Sequence, residues 1–322
     1  MLRISLILFI AFELCYYLLI AQTGIVECFS SDIFQIAPLP IGGMFGSLLS
    51  YKVKLRYKTQ LFLFLQLILS FFYPHFSFIL LFLLGLSVGT IAPLMINELK
   101  KTSNLELGVA LCLSYCLGTF LFDYDPALRK EMGVLFALVV LSASFRIEKI
   151  AAMKALETYS YPLLSMILWV FLDSALFETL SRDTFISIWR GGYTFEIMVF
   201  HVLGVITAFQ INVKKCENEL FIMSLFGLSY LLYFLHEALL LASVYPFVIS
   251  YYNISILKTL QHKSLKQLSL YMFFIGWVAS GLGLFVALNQ LLLFVPLIAF
   301  IVFVITINFH KTITFKETKC LN

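Results

Sequence analysis

Long apolar runs separated by short polar gaps dominate this sequence and decide what the chain can fold into. Residues 78–96 and 291–307 are two of the clearest runs. The hydrocarbon core of a bilayer is about 30 Å thick, and a helix needs about 20 apolar residues to cross it. Barrel strands are alternating segments of about 10 residues, which these unbroken runs do not resemble. The runs therefore predict membrane-spanning helices.

The overall composition excludes an ordinary soluble domain. Hydrophobic residues make up 61% of the 322 residues, charged residues only 12%, and the mean hydropathy is +0.97. Such a chain has too few polar side chains to cover a surface in water. The basic residues lie in the short gaps and form no continuous patch, so we expect the lipid bilayer as a partner and no nucleic acid.

The apolar runs predict about twelve spanning helices. Ten or eleven remain an alternative, because the span at 59–73 is short and the next follows almost at once. The first run resembles a signal peptide, but Glu13 interrupts it and no clean cleavage site follows, so we expect a retained helix. The predicted spans are 3–21, 33–50, 59–73, 76–97, 105–122, 127–145, 160–181, 192–212, 218–235, 237–257, 268–287 and 290–308.

The distribution of basic residues predicts the orientation. Lys and Arg concentrate on the cytoplasmic side of membrane proteins. With the N-terminus inside, 18 of the 22 Lys and Arg residues fall in inner segments. The outer segments hold only Arg129, Lys130, Arg182 and Arg190. We therefore predict a multi-pass protein of a bacterial-type inner (plasma) membrane with both termini in the cytoplasm.

An internal repeat divides the spans six and six. With an offset of roughly 153–163 residues, Glu13 aligns with Asp173 and Pro93 with Pro246. Parallel repeats with a site at their junction are a transporter architecture. We predict an all-α protein of two pseudo-symmetric six-helix bundles. The predicted divisions are an N-terminal bundle at 1–145, a linker at 146–159, a C-terminal bundle at 160–309 and a cytoplasmic tail at 310–322.

Short motifs resemble those of the major facilitator superfamily. The stretch at 46–55 begins at the end of the second span, and its Gly46 and Leu48 match the family's Gly-x-Leu-Ala-Asp-Arg-x-Gly-Arg-Arg loop, with Ser50 and Val53 at the Asp and second Gly. The span around 84–93 resembles the family's helix 4, which is rich in small residues. This resemblance implies a facilitator-like fold with alternating access, in which the first and seventh helices line the central cavity.

Two carboxylates near the middle of spans are the leading functional candidates. Glu13 lies in the first span and Asp173 in the seventh. An acid at the centre of a bilayer is unfavourable and is usually retained for a function. We predict that these two residues bind substrate or couple transport to protons. A buried acid that accepts hydrogen bonds from Ser, Tyr or backbone groups is the alternative.

A second charged group lies near the predicted outer ends of the seventh and eighth spans. Its members are Glu178, Glu196, Arg182 and Arg190. An ion-pair gate and ordinary interfacial residues are equally compatible with this pattern. Glu178 is five residues after Asp173, about 140° around the helix, so the two acids do not share a face.

Further polar residues in the spans could line a cavity. They are Asn97, His201, Tyr251, Tyr252 and Asn253. Each has a structural alternative: a helix cap for Asn97, a buried hydrogen-bonded ring for His201 and an aromatic anchor at the membrane interface for Tyr251 and Tyr252.

The sequence contains no phosphate-binding loop, Gly-x-Ser-x-Gly motif or zinc motif. We therefore predict a secondary active transporter that moves a small solute and is coupled to protons, with no catalytic residues, no metal site and no cofactor, and a monomer by default. The alternatives are a polytopic membrane enzyme or envelope assembly factor acting on a lipid-linked substrate, and a partner subunit that does not transport.

Overall fold

The computed structural model describes residues 3–29, 33–147, 160–183, 185–211, 214–299 and 301–304. These residues form helices and short connections, with no β-strand among them. The predicted linker, from its third residue onwards, and the predicted tail at 310–322 lie outside the described residues.

Six helices cover the predicted spans of the N-terminal half. A short helix, Ile33–Ile36, precedes the second of them. Lys58–Ser70 and Phe78–Lys101 are separate helices, which agrees with the twelve-span prediction at the point where it was least certain. The helices are α1 (Ile4–Cys28), α2 (Pro38–Lys52), α3 (Lys58–Ser70), α4 (Phe78–Lys101), α5 (Asn104–Phe122) and α6 (Lys130–Ile147).

Six more helices follow in the C-terminal half. Their bounds lie within a few residues of the predicted spans. They are α7 (Leu163–Leu180), α8 (Thr194–Gln210), α9 (Lys215–Phe234), α10 (Ala238–Leu260), α11 (Leu265–Leu288) and α12 (Leu292–Val304).

The chain is a multi-pass helical membrane protein. Six of the described helices, namely α1, α4, α5, α7, α10 and α11, are long and apolar enough to cross a membrane. Large apolar side chains such as Phe120 and Phe195 point outwards and are 68% and 71% exposed. An outer surface of this kind is unfavourable in water and suits contact with lipid.

Local sequence determines where several helices begin. Ser103 and Glu106 form a capping box at the start of α5. The Ser103 side chain accepts a hydrogen bond from the Glu106 backbone N–H, and the Glu106 side chain accepts one from the Ser103 backbone N–H. Ser264 and Gln267 do the same at the start of α11. These caps bond backbone groups that would otherwise lack partners at the helix ends.

Several helix contacts recur at a spacing of six helices. α1 packs on α5, α2 on α4 and α3 on α4; correspondingly, α7 packs on α11, α8 on α10 and α9 on α10. Between the predicted halves, α5 packs on α8 and α2 on α11, which also have a spacing that fits this order. α1 and α3 also pack on α6, without a counterpart of similar extent among the described contacts of α7 and α9 with α12.

Glycines let α2 and α4 approach until their backbones touch. A Cβ atom at Gly89 would lie 2.2 Å from the carbonyl oxygen of Gly43, and one at Gly46 would lie 2.2 Å from that of Leu86. Ser47 Oγ donates to the Gly89 carbonyl at 3.1 Å across the same contact. Small residues at such contacts allow close helix packing in membranes.

We predict that Gly89→Ala lowers the thermal unfolding midpoint of the purified protein, because the new methyl group meets backbone that cannot move aside. Overpacking of this kind destabilises by about 1–3 kcal/mol. The matched control is Gly227→Ala on α9, where nothing lies within 4 Å of the added methyl group. Its midpoint should stay or rise, since Ala favours helix over Gly. Equal midpoints for the two variants would contradict the close contact.

Candidate functional site

A cavity of about 300 Å³ lies where the two halves meet. Residues from α1, α4, α5, α7, α8, α10 and α11 line it, together with Trp189 from the connection between α7 and α8. Most of the lining is apolar, with a few polar side chains between. Glu13 from α1 and Asp173 from α7 both belong to the lining, so one chamber contains the two acids that the sequence singled out.

Asp173 is held by two tyrosines of α10. The Tyr245 hydroxyl donates to Asp173 Oδ1 at 2.7 Å, and the Tyr252 hydroxyl donates to Oδ2 at 2.6 Å. Tyr245 also donates to the backbone carbonyl of Asp173 at 2.9 Å. The carboxylate is thereby oriented from one side while the residue stays half-buried at the cavity wall.

Glu13 has a different environment. Only 3% of the residue is exposed, and Gln66 Nε2 of α3 donates to its Oε2 at 3.0 Å. Gln66 is itself fully buried, and its Oε1 has no hydrogen-bond partner among the described residues. No Lys, Arg or His of the described chain forms an ion pair with Glu13 or Asp173. Glu13 is therefore buried and Asp173 half-buried, and the hydrogen bonds that their carboxyl groups accept from described side chains come from neutral donors.

Two π-helical segments border the cavity. One, Tyr17–Gln22, interrupts α1 and the other, Phe273–Ala279, interrupts α11. They meet across the two halves, where the rings of Tyr17 and Trp277 pack edge to face at 6.4 Å. π-helical turns inside α-helices are frequent at functional sites.

His201 connects the halves on another side of the cavity. Its ring stacks on Tyr115 of α5 with centroids 4.5 Å apart, and its Nδ1 lies 2.7 Å from Ser250 Oγ of α10. His201 is buried and lines the cavity, as do Tyr252 and Asn253. His201 thus has both of the features that the sequence left open. It lines the cavity, and its ring is stacked and hydrogen-bonded.

Two of the predicted cavity residues lie elsewhere. Asn97 accepts a hydrogen bond from Lys100 Nζ at 2.9 Å near the end of α4. Tyr251 points to α9, where its hydroxyl donates to Asn218 Oδ1. Tyr251 and Tyr252 are consecutive on a helix and so face different directions, about 100° apart. Neither Asn97 nor Tyr251 belongs to the lining of this cavity.

The predicted outer group forms contacts between the halves. Arg182 Nη2 pairs with Glu178 Oε2 at 3.2 Å, and Gln22 Nε2 of α1 donates to Glu178 Oε1 at 2.9 Å. Glu178 lines a second, smaller cavity of about 50 Å³ and not the one that contains Asp173. The two acids thus occupy different faces of α7, as their spacing predicts.

Arg190 makes the second contact between the halves. It pairs with Glu27 at the end of α1, and its Nη1 donates to the Ser181 carbonyl at 3.2 Å. Beneath it, the ring of Trp189 packs on Phe177 at 4.9 Å and on Phe122 of α5 at 5.7 Å. Glu196, at the first turn of α8, forms no ion pair with the described side chains.

The sequence analysis missed Gln22, Gln66, Glu27 and Tyr245. Gln66 carries a usable signal, because a lone amide in the middle of an apolar run needs a partner. Glu27 lies beyond the predicted end of the first span, so it was expected in a connecting segment. Nothing in the sequence pattern distinguishes Tyr245 from the other tyrosines of this chain.

No protein-family model and no curated protein matches this sequence. Two solved transporter structures match its fold over nearly the full length of both chains. The human organic anion transporter MFSD10 (TETRAN) has 15% sequence identity and a TM-score of 0.61, and the match covers 93% of this chain and 98% of that one. A bacterial homologue of the iron transporter ferroportin, in an outward-facing state, has 13% identity and a TM-score of 0.56, with coverage of 94% and 97%.

The chain has the major-facilitator fold. Glu13 and Asp173 both line the central cavity between the halves. Arg129, one of the charged residues predicted at the outer side, is fully buried and donates to the carbonyls of Leu19, Phe122 and Tyr124. Its contacts brace α1 against the start of α6.

We predict that Tyr245→Phe lowers the thermal unfolding midpoint more than Tyr233→Phe does. The first change removes the hydroxyl of a fully buried tyrosine from a carboxylate oxygen, which costs about 1–3 kcal/mol. Tyr233 also donates to an aspartate, Asp183, but at the half-buried outer end, where water can replace the hydroxyl. Melting of the purified variants in detergent measures both, and a larger loss for Tyr233→Phe would contradict the described role of Tyr245.

Proposed function

We propose that this protein is a secondary active transporter that moves a small solute across a bacterial-type inner membrane by alternating access, coupled to protons. The observation that carries the proposal is the shared cavity. Two acids from corresponding helices of the two halves line one chamber at the junction of those halves. The two solved structures described above are of a transporter and a transporter homologue, which supports the same class of function.

The architecture we propose is twelve spanning helices in two six-helix bundles, at 1–145 and 160–309. The bundles are joined by a cytoplasmic linker at 146–159, both termini are cytoplasmic, and the protein works as a monomer. The helix contacts that repeat at a spacing of six support the division. Rocking of one repeat against the other around a central site is a common mechanism in such folds.

Glu13 and Asp173 are the coupling groups in this proposal. Each accepts hydrogen bonds from neutral donors, so its charge can be compensated by a proton or by a bound solute. A carboxyl group that faces each side of the membrane in turn can take up a proton on one side and release it on the other. The mechanism requires no residue with a covalent catalytic role and no cofactor.

The outer contacts act as a gate in this proposal. Gln22–Glu178 and Glu27–Arg190 both connect α1 to the C-terminal half, and both must separate before the cavity opens outwards. The aromatic group of Phe122, Phe177 and Trp189 lies beside them and covers the same end. Opening to the outside therefore requires breaking polar contacts and separating packed rings together.

We predict that Asp173→Asn and Glu13→Gln each abolish proton flux that is coupled to solute. Proteoliposomes loaded with a pH-sensitive dye report the flux when mixtures of amino acids, sugars, nucleosides and organic amines are added outside. Asp123→Asn is the matched control, because Asp123 is exposed and lies outside the cavity. Wild-type flux in the Glu13→Gln, Asp173→Asn double variant would remove the mechanism.

We also predict that Glu27→Gln makes the cavity more accessible from outside. Thr119→Cys, a cavity residue placed in a cysteine-free background, should react roughly fivefold faster with an impermeant maleimide if the pair contributes about 1 kcal/mol. Reversing the pair, with Glu27→Arg and Arg190→Glu together, should restore slow labelling. Lys101→Gln, which breaks an ion pair with Glu98 instead, is the control. Equal rates in all these variants would exclude the gate.

A further inference from the structure

The charge of the cavity lining has one sign. Among the described residues that line it there are two carboxylates and no Lys or Arg. Arg182 and Arg190 approach the outer end, but each is paired with its own carboxylate, Glu178 or Glu27. A cleft lined by one sign of charge concentrates ions of the opposite sign. The lining therefore favours a positively charged ligand over an anion.

The carboxylate of Asp173 is oriented by hydrogen bonds and can still accept a further bond from a ligand. Two tyrosine hydroxyls hold it in place, one on each oxygen. A carboxylate has about four sites that can accept hydrogen bonds, so two donors leave it able to bind a further group. Asp173 is half-buried at the cavity wall, whereas Glu13 is nearly fully buried against Gln66. Of the two acids, Asp173 is the more accessible counter-ion.

Aromatic rings belong to the same cavity lining as Asp173. Phe177 is one helical turn away on the same face of α7 and also lines the cavity. Trp189 packs on Phe177 at 4.9 Å, and Tyr17 faces the cavity from α1. Aromatic faces attract cations, and the attraction is stronger where water is excluded. The same rings offer flat apolar surfaces on which a ring-containing ligand can stack.

The rest of the lining sets the size and polarity of the ligand. A volume of about 300 Å³ is at the lower end of the range for pockets that hold small organic molecules. Aliphatic side chains complete the wall, among them Val88, Leu111, Val170, Ile249, Leu257 and Ile275. A small ion with a full hydration shell would leave these surfaces without apolar contacts. A ligand with one charge and an apolar body matches both parts of the wall.

A metal ion fits the lining less well. Metal sites in proteins bring together several N, O or S ligands. The described residues contain no group of three or more His, Cys, Asp or Glu side chains that could hold a metal ion. Most of the cavity lining is aromatic or aliphatic, which provides no ligand atoms for a divalent ion.

We propose that the central cavity binds a monovalent organic cation with a ring-containing apolar body, and that Asp173 is the counter-ion of this ligand. The proposal rests on the proposed transport function only in naming the solute class; binding itself requires no transport cycle. The positive group lies at Asp173 between the tyrosines of α10, and the apolar body lies against Phe177, Trp189 and the aliphatic wall.

The test is isothermal titration calorimetry on the full-length purified protein in detergent, without a membrane gradient. Benzyltrimethylammonium and tetraphenylphosphonium are the cationic probes, and phenylacetate and tetraphenylborate are anions of similar shape. Manganese(II) and iron(II) are the metal arm. We expect at least one cation to bind, neither anion to compete with it, and Asp173→Asn to weaken its binding at least about tenfold. Asp123→Asn, which leaves the cavity unchanged, should bind as the wild type does.

The outcomes separate the two proposals. Preference for either anion, saturable metal binding that displaces the cations, failure of both cations to bind, or unchanged binding by folded Asp173→Asn overturns the cation proposal. If Asp173→Asn does not fold, the preference of the wild-type protein for cations over anions tests the proposal without a variant. Cation binding without proton-coupled flux in proteoliposomes supports the cation site and contradicts the proposed transport function. Coupled flux of anionic or neutral solutes without cation binding supports the transport function and contradicts the cation site.

Discussion

The structure depends on two carboxyl groups, those of Glu13 and Asp173, that lie inside a membrane protein without a basic partner among the described residues. In hydrocarbon an ionised acid without compensation is strongly unfavourable. Here Asp173 receives two tyrosine hydroxyls and Glu13 receives one glutamine amide, and neither is paired with a basic side chain among the described residues. The remaining compensation comes from the cavity that both residues line. Filling the cavity with water, a proton or a ligand changes the energy of the whole junction.

The rest of the fold surrounds that junction with tightly packed helices. The glycine contact between α2 and α4 brings backbone against backbone, and such a contact resists internal deformation because it has no flexible side chains to move. Contacts between the halves include the stacked His201–Tyr115 pair, the outer ion pair and the close packing of Trp277 of α11 on Gly43 of α2. The π-helical segments in α1 and α11 lie beside the cavity at this junction.

Much of this arrangement was predictable from the sequence because the bilayer imposes a strong rule on it. Each helix needs a long apolar run, so the helices fall close to their predicted spans, and the six-helix spacing followed from aligned residues such as Glu13 and Asp173. The same argument placed Glu178 on a different face from Asp173, and the two acids line different, adjoining cavities. Periodicity and rarity of charge were sufficient in these cases.

The finer features were not predictable because they depend on helix rotation and on partners distant in sequence. Tyr251 and Tyr252 look alike in the sequence, but one meets Asn218 and the other meets Asp173. Glu27 became part of the outer contact only because α1 extends beyond its predicted end. Both errors concern where a side chain points in three dimensions, which an apolar run alone does not specify.

The central claim is that Glu13 and Asp173 face one chamber that water reaches. The most direct test is to treat the protein with a water-soluble carbodiimide and an amine nucleophile and to map the modified peptides by mass spectrometry. The reaction occurs only at carboxyl groups that these reagents can reach from water. The account predicts adducts on both Glu13 and Asp173, with little adduct on Glu106, which is held by Arg3. Adducts on exposed Asp123 but on neither Glu13 nor Asp173 would contradict it.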